Sequence, residues 1–250
     1  MATTIALESH AHARLVLDHL EQYNDFMESI STVCDMGAGE GLDAEWWATR
    51  EVEDESGRHI PLDIKVTALD IQDQLNVEHQ HIKSVTANFE DSRLEEGQFD
   101  VIWCHDSFQY ALDPINTLKH WWHLTRDNGM LCLQVQQTTN IKHNQQTFYQ
   151  HSGVYHHHTL VNLIHMLALN GWDCRDAHFW KKMNDPWIKC VVYKTKHQPM
   201  DARHTTWYEL AETELLPESA VSSINKWGHL RQQDLQLSWL DGSLEAFFTH

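Results

Sequence analysis

Three groups of residues in the first hundred positions have the types and spacing needed to bind one ligand. The segment Asp35-Met36-Gly37-Ala38-Gly39-Glu40-Gly41 is rich in glycine, which lets backbone N–H groups approach a ligand closely at the start of a helix. Asp70 comes next, and a carboxylate there can accept both hydroxyls of a ribose. Asn88 and Phe89 follow, with an amide for an adenine edge and a ring for its face.

The glycine spacing and the acid before it favour a cationic ligand over a dinucleotide. The dinucleotide fingerprint is G-x-G-x-x-G, whereas this loop reads G-x-G-x-G and has Leu42 at the sixth position. A carboxylate at Asp35 would repel a pyrophosphate, but it suits a ligand that carries an ammonium and a sulfonium.

The order of the predicted elements places these residues at the ends of strands. Short apolar runs predict strands at residues 32–35, 64–69, 82–87, 99–104 and 130–135. Helical periodicity predicts helices at residues 10–30, 42–49, 73–79, 114–124 and 160–169. Residues 50–61 indicate a surface loop, and residues 172–179 and 187–194 indicate a closing β-hairpin. This alternation predicts an α/β fold with a mainly parallel sheet.

Residues 197–250 break the alternation and are predicted to form a helical C-terminal extension to a domain of residues 1–196. Two helices are expected in the extension, at residues 205–216 and 219–227, on either side of Pro217. The apolar residues of the extension must be covered by the main domain or by a second subunit, so a homodimer through this segment stays open.

With these motifs in this order, residues 32–195 resemble a class I S-adenosylmethionine-dependent methyltransferase of the small-molecule type. Residues 33–41 resemble the first motif of that family, and residues 98–105 its fourth strand, whose end lies by the methionine amino group and the methyl. The resemblance implies a Rossmann-like, mainly parallel seven-stranded sheet with helices on both faces and the last strand antiparallel. It also implies S-adenosylmethionine as cofactor, bound by Asp35, Gly37, Ala38, Gly39, Asp70, Ile71, Asn88, Phe89 and Cys104.

Methyl transfer is an in-line displacement at a sulfonium methyl, so the protein must position the reactants and remove a proton where the nucleophile needs it. Candidate bases follow the fourth strand or lie in the connection of residues 140–158, whose length and position suit a lid. We expect His105 and Tyr155 to face the substrate as catalytic residues.

The net charge and the sequence after the fourth strand indicate which classes of partner the chain can bind. The chain has 18 Lys and Arg against 36 Asp and Glu, a net charge of −18, which repels polyphosphate and anionic lipid. The sequence after the fourth strand also lacks the Asp/Asn-Pro-Pro-aromatic motif of enzymes that methylate DNA bases. We therefore expect a small-molecule acceptor, no duplex nucleic acid and no membrane partner.

Cysteine and histidine patterns bear on location and metals. The five cysteines are scattered and include no C-x-x-C pair, which indicates a reducing compartment. The N-terminus is acidic and lacks an apolar segment, so we expect a cytoplasmic protein. The histidine pairs at 10/12 and 79/81 and the triple at 156–158 lack a local carboxylate or thiolate at ligand spacing, so no metal site is predicted.

Two other functions stay open at this point. The chain could methylate protein or RNA, with the C-terminal extension used for recognition. It could also bind S-adenosylmethionine without catalysis, because Asn88 stands where an acid is more usual in the family and the base is not identified.

Overall fold

The computed structural model describes residues 29–136, 155–180 and 187–239, with only the backbone described at 176–180 and 238–239. The predicted N-terminal helix, most of the 140–158 connection and the end of the extension lie outside the described residues.

Ten strands and five α-helices make up the described part of the chain, together with 3₁₀ turns at Phe108–Tyr110 and Gln232–Asp234. The strands are β1 (Thr32–Met36), β2 (Glu51–Glu53), β3 (His59–Pro61), β4 (Lys65–Asp70), β5 (Ile82–Thr86), β6 (Phe99–His105), β7 (Thr125–Gln136), β8 (Trp172–Trp180), β9 (Trp187–Lys194) and β10 (Ser238–Trp239). The helices are α1 (Leu42–Ala48), α2 (Pro114–Leu124), α3 (Leu160–Leu169), α4 (Trp207–Ala211) and α5 (Glu218–Trp227).

The main sheet has eight strands in the order β10-β8-β9-β7-β6-β1-β4-β5. Neighbouring strands from β7 to β5 run parallel, whereas β9 runs antiparallel to both β7 and β8. The predicted mainly parallel seven-stranded sheet with an antiparallel last strand is therefore confirmed. The short strand β10 of the C-terminal extension adds an eighth strand at the edge, parallel to β8.

Both faces of the central strands are buried, which explains why they are short, continuous apolar runs. On one face, Val33 and Val101 lie in an apolar cluster with Trp47 of α1. On the other face, Cys34 and Ile102 lie in a second cluster that includes helices α2 and α3. Helices therefore cover both faces of the sheet, as predicted.

Local capping sets where α2 and α3 begin, and both have the predicted bounds. The Asp113 side chain accepts the backbone N–H of Asn116, and Pro114 occupies the first turn of α2, where a missing N–H costs nothing. Thr159 and Asn162 form a reciprocal capping box at the start of α3.

The helix predicted at residues 73–79 is wrong. The segment has no regular secondary structure, and its apolar side chains Leu75 and Val77 lie against the glycine loop, where a Cβ on Gly41 would come within 2.3 Å of Leu75 Cδ1. The backbone N–H of Asn76 also donates to Glu40 O at 3.0 Å. Tertiary contacts with the loop therefore override the weak local helical pattern.

The surface loop predicted at residues 50–61 contains the antiparallel hairpin β2–β3. Asp54 Oδ1 accepts the backbone N–H of Ser56 and of Arg58, which closes the turn between the strands. Gly57 adopts a left-handed conformation at φ 80° in that turn.

The C-terminal extension packs on the sheet of its own chain. Backbone hydrogen bonds join Met200 N to Leu169 O at 2.8 Å and Cys174 N to Leu215 O at 2.9 Å. The buried apolar residues of the extension that belong to the α2–α3 cluster are Leu210, Leu215, Leu216, Ala220, Ile224, Leu230, Leu235 and Leu237. The division of the chain at residue 196 stays a prediction.

This shared cluster predicts that the extension unfolds together with the main domain. We expect Leu216→Ala to lower the free energy of unfolding by about 2–5 kcal/mol, because Leu216 is 2% exposed. The control is Tyr208→Ala on the same extension, where the side chain is 52% exposed and the effect is expected to be about 0.5 kcal/mol. Denaturant unfolding of both variants should show one transition; a separate early transition in Leu216→Ala would make the extension an independent module.

His158 is a histidine built into the core. Its side chain is 1% exposed and its ring stacks on Phe108, with centroids 5.2 Å apart. Within the described part of the chain, neither ring nitrogen has a hydrogen-bond partner. Burial, and then the charges of His156 and His157, lower the pKa of His158 from 6.5 to about 4.

The depressed pKa of His158 predicts a loss of stability in acid. The folded state favours the neutral ring, so the stabilisation is complete above pH 6.5 and is lost as the pH falls toward 4. We expect His158 alone to lower the free energy of unfolding by about 1 kcal/mol at pH 6, and by about 1.4 kcal/mol more for each further unit that the pH falls toward 4. Urea unfolding of His158→Leu at several pH values should show that slope removed, whereas His59→Gln, at an exposed histidine, should keep it. The same slope in all three proteins would contradict the assignment.

Candidate functional site

The glycine loop joins β1 to α1 in a conformation that requires glycine. Gly37, Gly39 and Gly41 have φ values of 81°, 55° and 90°. A Cβ on Gly37 would lie 2.4 Å from Ser107 Oγ, whereas a Cβ on Gly39 would meet nothing within 4 Å. The backbone N–H groups of Gly37 and Ala38 both donate to Leu69 O, at 2.8 and 3.0 Å. The loop is therefore tied to β4 on one side and open at Gly39.

Three carboxyl groups surround this loop. Asp35 at the end of β1 is 2% exposed, and its Oδ2 has no hydrogen-bond partner among the described residues. Burial first, and then the charges of Asp43 and Asp70, raise the pKa of Asp35, while a hydrogen bond from the Ala44 backbone acts in the opposite direction. A buried carboxyl oxygen that accepts no hydrogen bond from the described residues, beside the open loop, suits a cationic ligand group.

Asp70 stands at the end of β4, as the sequence predicts. Its two oxygens accept the backbone N–H groups of Gly39 and Gln72, each at 3.0 Å. A carboxylate has about four lone-pair positions, so Asp70 keeps capacity for ligand hydroxyls. The next side chain, Ile71, is 68% exposed, which leaves an apolar surface beside the carboxylate.

The Phe89 ring is not free to pack on an adenine face, as the sequence analysis expects, because it packs against α2. Asn88 is exposed, and its side-chain oxygen accepts the backbone N–H of Glu90 at 3.0 Å. The Phe89 ring packs edge-on against Trp121 of α2, and Phe89 O accepts the Trp121 indole N–H at 3.0 Å. Glu90 in turn accepts the backbone N–H groups of Leu112 and Asp113. The segment is therefore fixed to the residues that precede α2.

Neighbouring residues at the end of β6 face opposite sides of the sheet. Cys104 is 1% exposed and belongs to the apolar cluster of α2 and α3, and burial raises the pKa of its thiol. His105 faces α1, where its Nδ1 lies 2.7 Å from Asp43 Oδ2. The same oxygen accepts the indole N–H of Trp103 at 3.0 Å. Of these two neighbours, His105 is the one whose side chain reaches a carboxylate of α1.

Asp43 is the residue that the sequence analysis missed. It lies in the first turn of α1, where an acid is common because it complements the helix dipole, so its type carried no special signal. Its partners are about sixty residues away in the chain, and only the fold brings them together.

A second polar cluster follows β6 on the side of Tyr155. Asp106 has φ 52°, and its Oδ1 accepts the Gln109 amide at 2.7 Å and the Trp187 indole N–H at 3.2 Å. Gln109 O accepts the backbone N–H of Tyr155 at 3.0 Å. Exposed aromatic and apolar side chains lie on this side of the site: Tyr110, Leu112 and Tyr155, which are 42%, 66% and 57% exposed.

Within residues 29–136, 155–180 and 187–239, His, Cys, Asp and Glu form no group of three or more that could hold a metal ion. None of the helices in this part of the chain has the length and apolar character needed to cross a membrane.

The chain is similar to known methyltransferases in sequence and fold. Residues 34–133 match a family model described as a methyltransferase domain. A comparison with curated proteins finds no match.

Similar solved structures share the fold at low sequence identity. A Haloferax volcanii methyltransferase in complex with the Trm112 activator matches at 14% identity and a TM-score of 0.53, over 70% of this chain and 88% of that one. Human N-acetylserotonin methyltransferase with S-adenosylmethionine matches at 16% and 0.54, over 74% and 52%. A Burkholderia thailandensis 1,6-didemethyltoxoflavin-N1-methyltransferase with S-adenosylhomocysteine matches at 14% and 0.50, over 75% and 90%.

The raised pKa of Asp35 predicts an unusual pH dependence of stability. The stabilisation that Asp35 contributes is complete at pH values below its usual pKa of 3.8. It is lost as the pH rises through the raised pKa of the folded state. We therefore expect Asp35→Asn to stabilise the ligand-free protein, with a gain that grows with pH by up to about 1.4 kcal/mol per unit. Urea unfolding between pH 5 and pH 8 measures the gain. Asp73→Asn is the exposed control, and a gain in Asp35→Asn that is independent of pH would contradict the burial argument.

Proposed function

We propose that the chain is a class I enzyme that transfers the methyl group of S-adenosylmethionine to a small-molecule acceptor. The match of residues 34–133 to a methyltransferase domain model and the likeness to solved methyltransferases support this proposal. The observation that carries this proposal is the buried Asp35 carboxyl beside a glycine loop that is open at Gly39. That pair matches a ligand whose amino acid end is cationic and must approach the backbone closely.

We propose the following roles for the residues around the cofactor. The loop at Gly37, Ala38 and Gly39 holds the methionine part by close approach at Gly39, where a Cβ would meet nothing within 4 Å, and Asp35 pairs with the ammonium. Asp70 accepts the ribose hydroxyls through the lone pairs that its two backbone bonds leave over.

The adenine end is proposed to lie between Ile71 and the segment after β5. The exposed Ile71 side chain packs on one face of the base, and the exposed Asn88 amide reaches its edge. Phe89 and Cys104 contribute through their backbones in this proposal, because both side chains pack in the apolar cluster.

On the acceptor side, His105 is proposed to take the proton of the nucleophile and Tyr155 to contact the acceptor. S-adenosylmethionine supplies a methyl group on a positively charged sulfur, whose bond to carbon breaks as the bond to the acceptor forms. Tyr110, Leu112 and Tyr155 give this side an aromatic and apolar surface, which suits a small organic acceptor. Two of the similar structures are named for small-molecule substrates, N-acetylserotonin and 1,6-didemethyltoxoflavin.

Partners and location follow from charge and cysteines. The net charge of −18 argues against duplex nucleic acid as a partner. The five cysteines are all buried and unpaired, which is consistent with the proposed cytoplasmic location. A homodimer through the C-terminal extension stays a prediction, and the described apolar residues of that extension already pack on their own sheet.

The cofactor assignment is tested by titrating the wild-type protein with S-adenosylmethionine in a calorimeter. We expect Asp70→Ala to bind about 10–150 times more weakly, because it removes charge-assisted hydrogen bonds worth about 1.5–3 kcal/mol. Asp73→Ala is the matched control, since Asp73 is an exposed acid three residues further along.

The outcomes of this titration are distinct. Equal affinities of Asp70→Ala and wild type would overturn the ribose assignment and leave the cofactor standing. Folded wild-type protein that binds neither S-adenosylmethionine nor its demethylated product would overturn the proposed function.

A further inference from the structure

Two polar contacts meet on one oxygen of the Asp43 carboxyl group. Trp103 Nε1 and His105 Nδ1 lie 3.0 and 2.7 Å from Asp43 Oδ2. The side chains of Asp43 and His105 are only 12% and 6% exposed. An indole N–H can only donate, so the Trp103 bond fixes Oδ2 as an acceptor and sets the orientation of the carboxylate.

We propose that Asp43 is a positioning residue that holds the His105 ring with its proton on Nδ1, so that Nε2 is the ring's proton acceptor. This inference rests on the proposed function, in which His105 takes the proton of the methyl acceptor. An ionised carboxylate only accepts hydrogen bonds, so the 2.7 Å contact requires a proton on Nδ1. In a neutral imidazole the other nitrogen then carries the lone pair.

The negative charge is placed on Asp43 and not on its neighbour Asp35. Asp43 lies in the first turn of α1, at the positive end of the helix dipole, and the indole N–H of Trp103 donates to its Oδ2. Asp35 is buried, and its Oδ2 has no donor within the described part of the chain. The carboxylate that orients His105 is therefore the one whose charge the fold supports.

The same residue connects the cofactor loop to the proposed base. Asp43 is two residues after Gly41, the last glycine of the loop, and it reaches across to the end of β6. When His105 accepts a proton at Nε2, the ring becomes a cation beside the Asp43 carboxylate, which stabilises it. The fold thus holds the base at a fixed position relative to the loop.

The test is the protonation state of the His105 ring, which needs no methyl acceptor. A two-dimensional proton–nitrogen NMR spectrum of protein labelled with ¹⁵N-histidine, at pH 8, reports which ring nitrogen carries the proton. Comparison with His105→Gln identifies the His105 signals among those of the other histidines. We expect the wild type to show Nδ1 protonated and Nε2 unprotonated.

Three variants separate positioning from general packing. Asp43→Ala removes the acceptor, so we expect loss of the Nδ1-protonated form of His105. Asp43→Asn keeps the shape and serves if Asp43→Ala does not fold; its neutral oxygen holds the Nδ1 proton less strongly, which predicts a mixture of the two forms. Trp103→Phe is the matched control, because it removes the other bond to Asp43 Oδ2 but keeps the carboxylate itself, so His105 should keep its proton on Nδ1.

The possible results separate this inference from the proposed function. A wild-type ring protonated on Nε2, or an unchanged Nδ1 proton in Asp43→Ala and Asp43→Asn, would overturn the positioning role. Absence of S-adenosylmethionine binding in wild-type calorimetry would overturn the proposed function, whatever the ring spectrum shows.

Discussion

The site depends on the burial of one carboxyl group, Asp35, at the point where β1 ends. A charged carboxylate costs several kcal/mol when it leaves water without a partner, so burial raises the pKa of Asp35 in the ligand-free protein. The neighbouring charges of Asp43 and Asp70 add to this effect. A cationic ligand group reverses the balance, because it supplies the missing partner. The fold therefore favours a positively charged ligand group beside the glycine loop.

Successive side chains along β6 lie on opposite faces of the sheet, which separates apolar packing from polar contacts. At the end of β6, Cys104 contributes to the apolar cluster, whereas the next residue, His105, turns its ring toward Asp43 on the other face. The C-terminal extension adds to the apolar side, where it covers the sheet and supplies β10. The proposed cofactor residues and His105 thus lie at or just after the carboxyl ends of the parallel strands, where open α/β sheets bind ligands.

Much of this arrangement could be predicted from the sequence because the local signals agree with the fold. The buried strands are continuous apolar runs, and caps at Asp113 and Thr159 mark the starts of α2 and α3. Prediction failed where distant contacts decide. Leu75 and Val77 pack on the glycine loop instead of forming a helix, and Asp43 gains its role only from partners brought in by β6. Sequence motifs predicted the cofactor loop, which stays a prediction, but gave no signal for the contact between Asp43 and His105.

The most direct test of the central claim is whether ligand binding releases a proton from Asp35. Calorimetric titration of S-adenosylmethionine near neutral pH, in buffers with different ionisation enthalpies, measures the protons exchanged on binding. We expect net release in the wild type, as the arriving ammonium favours the charged carboxylate, and a smaller release in Asp35→Asn. Equal proton release in both proteins, or no binding by the folded wild type, would contradict the account.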